Sequence, residues 1–262
     1  MNEVPKRSFV QRIHLKLIIW LGLFIGLVYW TASLTGVNLV MFFENFDQFT
    51  ALLDKMARPD WSYTQLVINP ILQTVQMALI GTTIGTLIAI PFSVLAARNI
   101  VKNPFIRTII RFILNLVRTL PDLMLAALFV AIVGIGPIAG VFTLAVFSFG
   151  MISKLFYEAI ETIDEGPLEA LQATGANRSQ VVIFAVIPQV FNYFISYFLY
   201  TFEINVRAST VLGYLGAGGI GVYLQRSLNE FAYDKTAIII LAILVVVLII
   251  DTISNTMRER LL

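Results

Sequence analysis

Long apolar runs separated by short polar intervals set the frame of this chain. Leu17 to about Leu34 carries no charge, and the arm before it holds Lys6, Arg7, Arg12 and Lys16 with no acid after Glu3. About twenty apolar residues span a hydrocarbon layer, so this run predicts a first transmembrane helix with its basic end in the cytoplasm; it is longer than the ~7–15-residue core of a secretory signal. Residues 36–68 hold Glu44, Asp47, Asp54 and Asp60 among few basic residues and predict an outer loop, with an amphipathic segment from Phe42 to Met56 on the membrane surface. Pro70 to Ala97 is the second predicted span, and Arg98, Lys102, Arg107 and Arg111 place the following loop inside. The third predicted span runs from about Phe112 to Val133 and contains Arg118, Pro121 and Asp122. A turn at residues 134–137 leads into the fourth, Ile138 to about Phe156. Lys154 to Gln180 is a polar inner island, Val181 to about Ile204 the fifth span, residues 205–235 an outer connection, and Thr236 to Ser254 the sixth. The pattern predicts an all-α integral membrane protein with six transmembrane helices and both termini cytoplasmic.

The island has its own internal order. Pro167 stands where a first helical turn tolerates proline, Asp164 and Glu165 lie at the positive end of the helix dipole, and Gly175 stands where a helix stops. These signals predict a capped helix of about two turns, too short to cross a bilayer. Leu168 and Leu171, with Ala170 and Thr174, offer a small apolar face, leaving Glu169, Gln172 and Arg178 for solvent or a partner. Taken alone, such a segment reads as a solvated connection between spans.

Composition agrees with the spans and removes several classes of function. Hydrophobic residues make up 58% of the chain and charged ones 13%, against roughly 45–50% and about 25% in soluble domains. A net charge of +2, distributed by loop, gives no footprint for nucleic acid. Cysteine is absent and His14 is the only histidine, so disulfides, cysteine-ligated metals, histidine metal sites and catalytic triads are excluded. No catalytic residue, metal ligand or cofactor of this chain's own is expected.

A few polar residues in the apolar runs are candidates for chemistry. Arg107, Arg111 and Arg118 fall on one side of a continuous helix, and Arg118 lies deep enough to need a partner or water. Asp122, one turn on, gives two readings: an internal ion pair, or an Arg118 that lines the inner part of an anion pathway. Glu203 and Arg207, also four apart with the acid first, read as a self-paired couple at the outer end of the fifth span, with Asn205, Ser209 and Thr210 making a donor-rich surface there. Gly216, Gly218 and Gly221 match G-x-G-x-x-G, but a dinucleotide site needs a preceding strand in a soluble unit. With Gly219 they read instead as tight turns and close approaches for a gate or docking surface. No G-x-x-x-x-G-K-[ST] occurs, so ATP-driven transport would need a separate ATPase. A secondary transporter or channel for small anions is the alternative, against which stand the lack of an internal repeat and of an unpaired midplane acid.

The island's spacing adds a resemblance. Glu169-Ala170, Gly175 six residues after the Glu and Pro188 thirteen after the Gly resemble the E-A-A, G, I-x-L-P signature of ABC importer permeases, with apolar replacements at Leu171, Ala185 and Ile187. From about Ile71 to the C-terminus the chain is similar to phosphonate ABC-transporter permeases, notably in the runs 133–140, 152–167, 173–177, Pro188-Gln189 and 194–221. The resemblance implies a type I ABC importer transmembrane domain over 66–262, with 1–65 forming the N-terminal arm, first helix and external loop. It also implies a coupling helix at about 164–176 that docks into a cytoplasmic ATPase through Glu169, Ala170, Leu171, Thr174, Gly175, Ala176 and Pro188. The implied assembly is a homodimer in the bacterial inner membrane, with two copies of the ATPase, which holds ATP and magnesium. A periplasmic or lipid-anchored binding protein would deliver a phosphonate, phosphite or related phosphorus oxyanion.

Overall fold

The computed structural model describes residues 15–36 and 43–261, and all the regular structure among them is helical. Contacts divide the chain into two units, Met1–Asp54 and Lys55–Leu262. The first holds α1 (Leu15–Thr35) and most of α2 (Phe46–Met56). α1 has a mean hydropathy of 2.0 and the length to cross a membrane. α2 sets Phe46, Phe49 and Leu53 along one side, the spacing an amphipathic helix requires. The basic arm through residue 14, with His14, and residues 37–42 of the outer loop lie outside the described residues.

The second unit runs α3 (Thr64–Ala96), α4 (Pro104–Thr119), α5 (Asp122–Val133), α6 (Pro137–Glu161), α7 (Gly166–Ala173), the single turn α8 (Arg178–Val181), a π turn at Val182–Val186, α9 (Ile187–Leu212), α10 (Ile220–Asn229) and α11 (Tyr233–Leu261). Among the described residues five helical stretches are long and apolar enough to cross a membrane, and α4 with α5, bent by 88° between them, makes a sixth when the pair is counted as one span.

That bend corrects the continuous third span read from the sequence. Proline disfavours helical geometry in the residue before it, and Leu120 is extended at φ −77°, ψ 124°. The helix therefore stops at Thr119 and restarts at Asp122, whose carboxylate sits at the favourable end of the new helix dipole. The fifth span is also longer than predicted. α9 continues to Leu212, so Asn205, Arg207, Ser209 and Thr210 are helical, and Asn205 and Ser209 are fully buried instead of forming an outer surface.

α3 and α6 run parallel in close contact and form the axis of the unit. A Cβ on Gly81 would lie 2.6 Å from Leu144 Cβ, and one on Gly85 would lie 2.8 Å from the Phe149 backbone nitrogen. Only glycine at these two positions lets the helices approach so closely. Hydroxyls buried nearby are satisfied within their own helices: Thr74 donates to Pro70 O (2.9 Å), Thr82 to Ala78 O (2.6 Å) and Thr143 to Ala139 O (2.8 Å). Midway along the axis, Asn205 Nδ2 of α9 donates to Thr82 Oγ1 at 2.7 Å and to Ser148 Oγ at 2.6 Å, tying three helices by one side chain.

At the end away from the basic loops, the glycine-rich turn seals the bundle. Gly219 N donates to Gln73 Oε1 (3.1 Å) and Ile220 N to Thr74 Oγ1 (2.8 Å), so α3 side chains satisfy the first amides of α10. Gly216 O accepts from Gly136 N (2.8 Å), and Gly221 packs against Gly213. This is a structural closure, as the turn reading of the glycines expects.

Replacing Gly85 by Ala should destabilise the protein by about 1–3 kcal/mol, although alanine is the better helix former, because the added methyl meets α6 backbone that cannot swing aside. Thermal unfolding of the purified protein in detergent checks this; an unchanged midpoint would contradict the close approach.

Candidate functional site

Two places carry polar chemistry, one at the inner end of the bundle and one halfway along it. The inner end is organised by α7. Asp164 Oδ1 accepts from Gly166 N at 3.0 Å, and Gln189 Oε1 accepts from Asp164 N at 3.0 Å, anchoring the entry of α7 to the start of α9. At its exit Gly175 N donates to Gln172 O (3.0 Å) and Ala176 N to Leu171 O (3.1 Å), the paired bonds of a Schellman turn, which the positive φ of 83° at Gly175 makes possible. Asn177 Oδ1 then accepts from Gln180 N (2.9 Å) while Gln180 Oε1 accepts from Asn177 N (2.8 Å), a reciprocal capping box that starts α8 at once. The N-x-x-Q spacing of that box was present in the sequence and went unread.

Leu168, 4% exposed, inserts from α7 into a cluster of Ala97, Phe156, Ile160, Val181, Ala185, Val186 and Val190, with Leu171 and Ala176 packed beside it. Glu169, Ala170, Thr174 and Gly175 remain exposed. The apolar face is thus narrower than the sequence reading, since Ala170 and Thr174 are not part of it. Pro188 has no N–H to return to Phe184 O, and the π turn absorbs that missing bond before α9 begins.

Glu161, at the end of α6, fastens the same end. It accepts from Arg98 N at 2.7 Å and from the Arg111 guanidinium, which also donates to Ala96 O at 3.0 and 2.8 Å and lies 4.7 Å from the centre of the Tyr157 ring. One carboxylate therefore joins α3, α4 and α6. The sequence reading places Arg111 on the inner side and on one helix face with Arg107 and Arg118, without assigning it a partner.

Halfway along α6 a cavity of about 340 Å³ opens at the α4–α5 elbow. Arg118, Asp122, Lys154 and Tyr200 are its polar lining, set among Val117, Leu120, Leu125, Phe147, Met151 and Leu155. Gly150 leaves room for the Arg118 side chain, whose Cγ would lie 3.0 Å from a Cβ there. Lys154 pairs with Glu158 one turn along at 3.1 Å. Among the described residues Arg118 makes no ion pair, so the proposed couple with Asp122 does not form: the elbow turns the following residues off the axis that would have stacked the two side chains. Lys154 and Tyr200 were not among the expected site residues.

Glu203 and Arg207 do pair, as the four-residue spacing expects, but they are not alone. Arg258 of α11 reaches Glu203 at 3.0 Å and Asn255 at 2.6 Å, and Arg207 lies 3.7 Å from Asp251. The group fastens the last turns of α11 to the body of α9, and its two acids and two arginines cancel in charge. Arg258 also lies 5.8 Å from the centre of the Tyr200 ring, which places this brace beside the cavity.

Five apolar crossings, the bent α4–α5 pair and a short capped helix at the basic end are the features of a membrane transport subunit. The chain belongs to the family of binding-protein-dependent transport system inner membrane components, whose model matches residues 89–261. It is an inner-membrane permease subunit of an ABC importer, and membership removes the secondary-transporter and channel alternative.

Among its relatives, the phosphite transport system permease protein PtxC of Stutzerimonas stutzeri is 41% identical over 202 residues, 77% of this chain and 74% of that protein. The phosphate-import permease protein PhnE of Mycolicibacterium smegmatis is 38% identical over 216 residues, 82% of this chain but 41% of that protein. In fold, the chain is similar to a subunit of the inward-facing MetNI methionine ABC transporter, with a TM-score of 0.69 at 22% identity, covering 78% of this chain and 99% of that one. It is also similar to a chain of a bacterial alginate ABC transporter in complex with a periplasmic protein, with a TM-score of 0.57 at 18% identity over 97% of this chain and 98% of that one. The fold is therefore that of the type I importer transmembrane domain.

Two mutational outcomes follow. Glu203→Gln strips the shared acid from Arg207 and Arg258 and should cost about 3 kcal/mol, the low end for breaking a buried pair because Arg207 is half exposed; chemical denaturation in detergent reads it, and adding Arg258→Gln should restore part of the loss. Arg118 and Asp122 line one cavity without bonding, so the Arg118→Ala, Asp122→Ala double variant should be no more stable than the better single variant, read by the same denaturation. Recovery in the double variant would show that they pair after all.

Proposed function

We propose that two copies of this chain form the inner-membrane pathway through which phosphite, a phosphonate or a related phosphorus oxyanion is imported. A binding protein in the periplasm, free or lipid-anchored, delivers the anion. Two copies of a separate cytoplasmic ATPase, carrying ATP and magnesium, drive the movement by docking on α7. The permease performs no chemical reaction itself.

The observation that carries this reading is the geometry of α7: exposed along Glu169, Ala170 and Thr174, and locked to the bundle through Leu168, the Schellman turn and the capping box. A load applied to the exposed face passes through Leu168 to the ends of α3 and α6 and, through Gln189, to α9. The substrate class is supported by relatives near 40% identity whose names give phosphite and phosphate, and by an Arg118 that makes no ion pair among the described residues at the α4–α5 elbow. Two copies are needed because one chain supplies one such helix and an ABC ATPase pair presents two docking grooves. Ser209 and the glycine turn belong to the closed outer end, where the binding protein would dock and the bundle would part.

Glu169→Lys and Gly175→Pro should abolish ATP-driven uptake of phosphite while leaving the amount of protein in the membrane unchanged. The first reverses charge on the docking face; the second cannot adopt the positive φ. Uptake assays in cells matched for expression test both, and full transport by either variant would remove α7 from the coupling role.

A further inference from the structure

The α4–α5 elbow cavity combines features that no structural task in the bundle uses up. Arg118 reaches it with a guanidinium that no described residue pairs, and Lys154, held by Glu158, adds a second cation. Tyr200 contributes a phenol whose ring is fixed beside Arg258. Asp122 brings a carboxylate into the same space without neutralising Arg118. A charged residue within a membrane-spanning segment is costly unless a partner, water or ligand meets it. Arginine's planar donors suit a tetrahedral oxyanion in particular.

The geometry points to this cavity as a waypoint that holds one phosphorus oxyanion still bearing a P–OH proton, on its way through the membrane. Arg118 and Lys154 donate to the ionised oxygens, Tyr200 donates a third hydrogen bond, and Asp122 accepts the P–OH hydrogen. The carboxylate makes the site selective. Phosphate carries such a proton throughout the neutral range, and phosphite and phosphonates carry it as their monoanions, whereas sulfate has the same shape and no proton to offer, so Asp122 would repel it. An unpaired acceptor and a like charge both count against the wrong anion. The cavity's volume of about 340 Å³ accommodates one such ion with water. This inference rests on the transport reading above for its choice of anion, and its test is independent of transport.

The chain contains no cysteine, so one introduced thiol gives a clean reporter. Leu155→Cys places it in the cavity wall without touching a polar group, and Val117→Cys serves as a second position. The transporter, assembled with its ATPase, is placed in phosphatidylcholine vesicles without ATP or binding protein, and the rate of thiol modification by a neutral reagent is measured. Inorganic phosphite should slow modification about tenfold, as expected when charge-assisted hydrogen bonds hold a ligand there. Sulfate should not. Arg118→Gln should abolish the phosphite effect, and Asp122→Asn should let sulfate protect as well.

No protection at either reporter, equal protection by sulfate with Asp122 intact, or slowing caused only by adding phosphatidylglycerol to the vesicles would overturn the site; the last would assign it to a lipid headgroup. Because the assay involves no turnover, protection by phosphite together with absent ATP-driven uptake would refute the import reading and leave the site standing.

Discussion

The bilayer interior offers no hydrogen bonds, and most of this architecture follows from that one constraint. Helices can end freely at either face of the membrane, but an end at mid-depth must find its partners in protein. The bundle therefore returns the buried hydroxyls of Thr82, Thr86 and Thr143 to their own helix carbonyls and lets Asn205 tie α3, α6 and α9 together. Among the described residues one pair of apolar helices is sharply broken, where Leu120 and Pro121 separate α4 from α5. That break opens where α6 carries Gly150 and Lys154 and α9 carries Tyr200. A continuous helix would have laid Asp122 over Arg118 and neutralised it; the elbow keeps both groups available.

The same constraint explains the two ends. Outside, Gln73 and Thr74 of α3 supply acceptors to the amides of Gly219 and Ile220, so the glycine turn is tied to the bundle where α10 begins. Inside, Glu161 serves the main chain after α3 and the Arg111 side chain together. Polar residues near the two ends thus act chiefly as fasteners, whereas at the elbow Arg118 makes no ion pair among the described residues.

The crossings were legible because apolar runs of about twenty residues have no other common explanation, and α7 was legible because proline and glycine bracket it. The elbow was not, because composition averages over Pro121 and hydropathy sees one long run from residue 112 to 133. The continuation of α9 to Leu212 was hidden by Glu203, Asn205 and Arg207, which read as the polar edge of a span. Their partners Arg258 and Asp251 lie about fifty residues away in sequence, and no local pattern links them. The cavity escaped for the same reason. Lys154 and Tyr200 are unremarkable in sequence and acquire meaning only when α6 and α9 face the elbow.

The two caps that flank α7 have a mechanical meaning. A short helix joined by loose loops would swing when pushed and dissipate the push in its hinges. Here a Schellman turn is followed directly by a capping box, with no free residue between the motifs, and the entry is pinned by Asp164 and Gln189. The joint has no backlash, so a displacement of even an ångström at its surface would arrive at the helix feet at similar size, and under the proposed coupling the stroke of an ATPase need be no longer than the opening it produces.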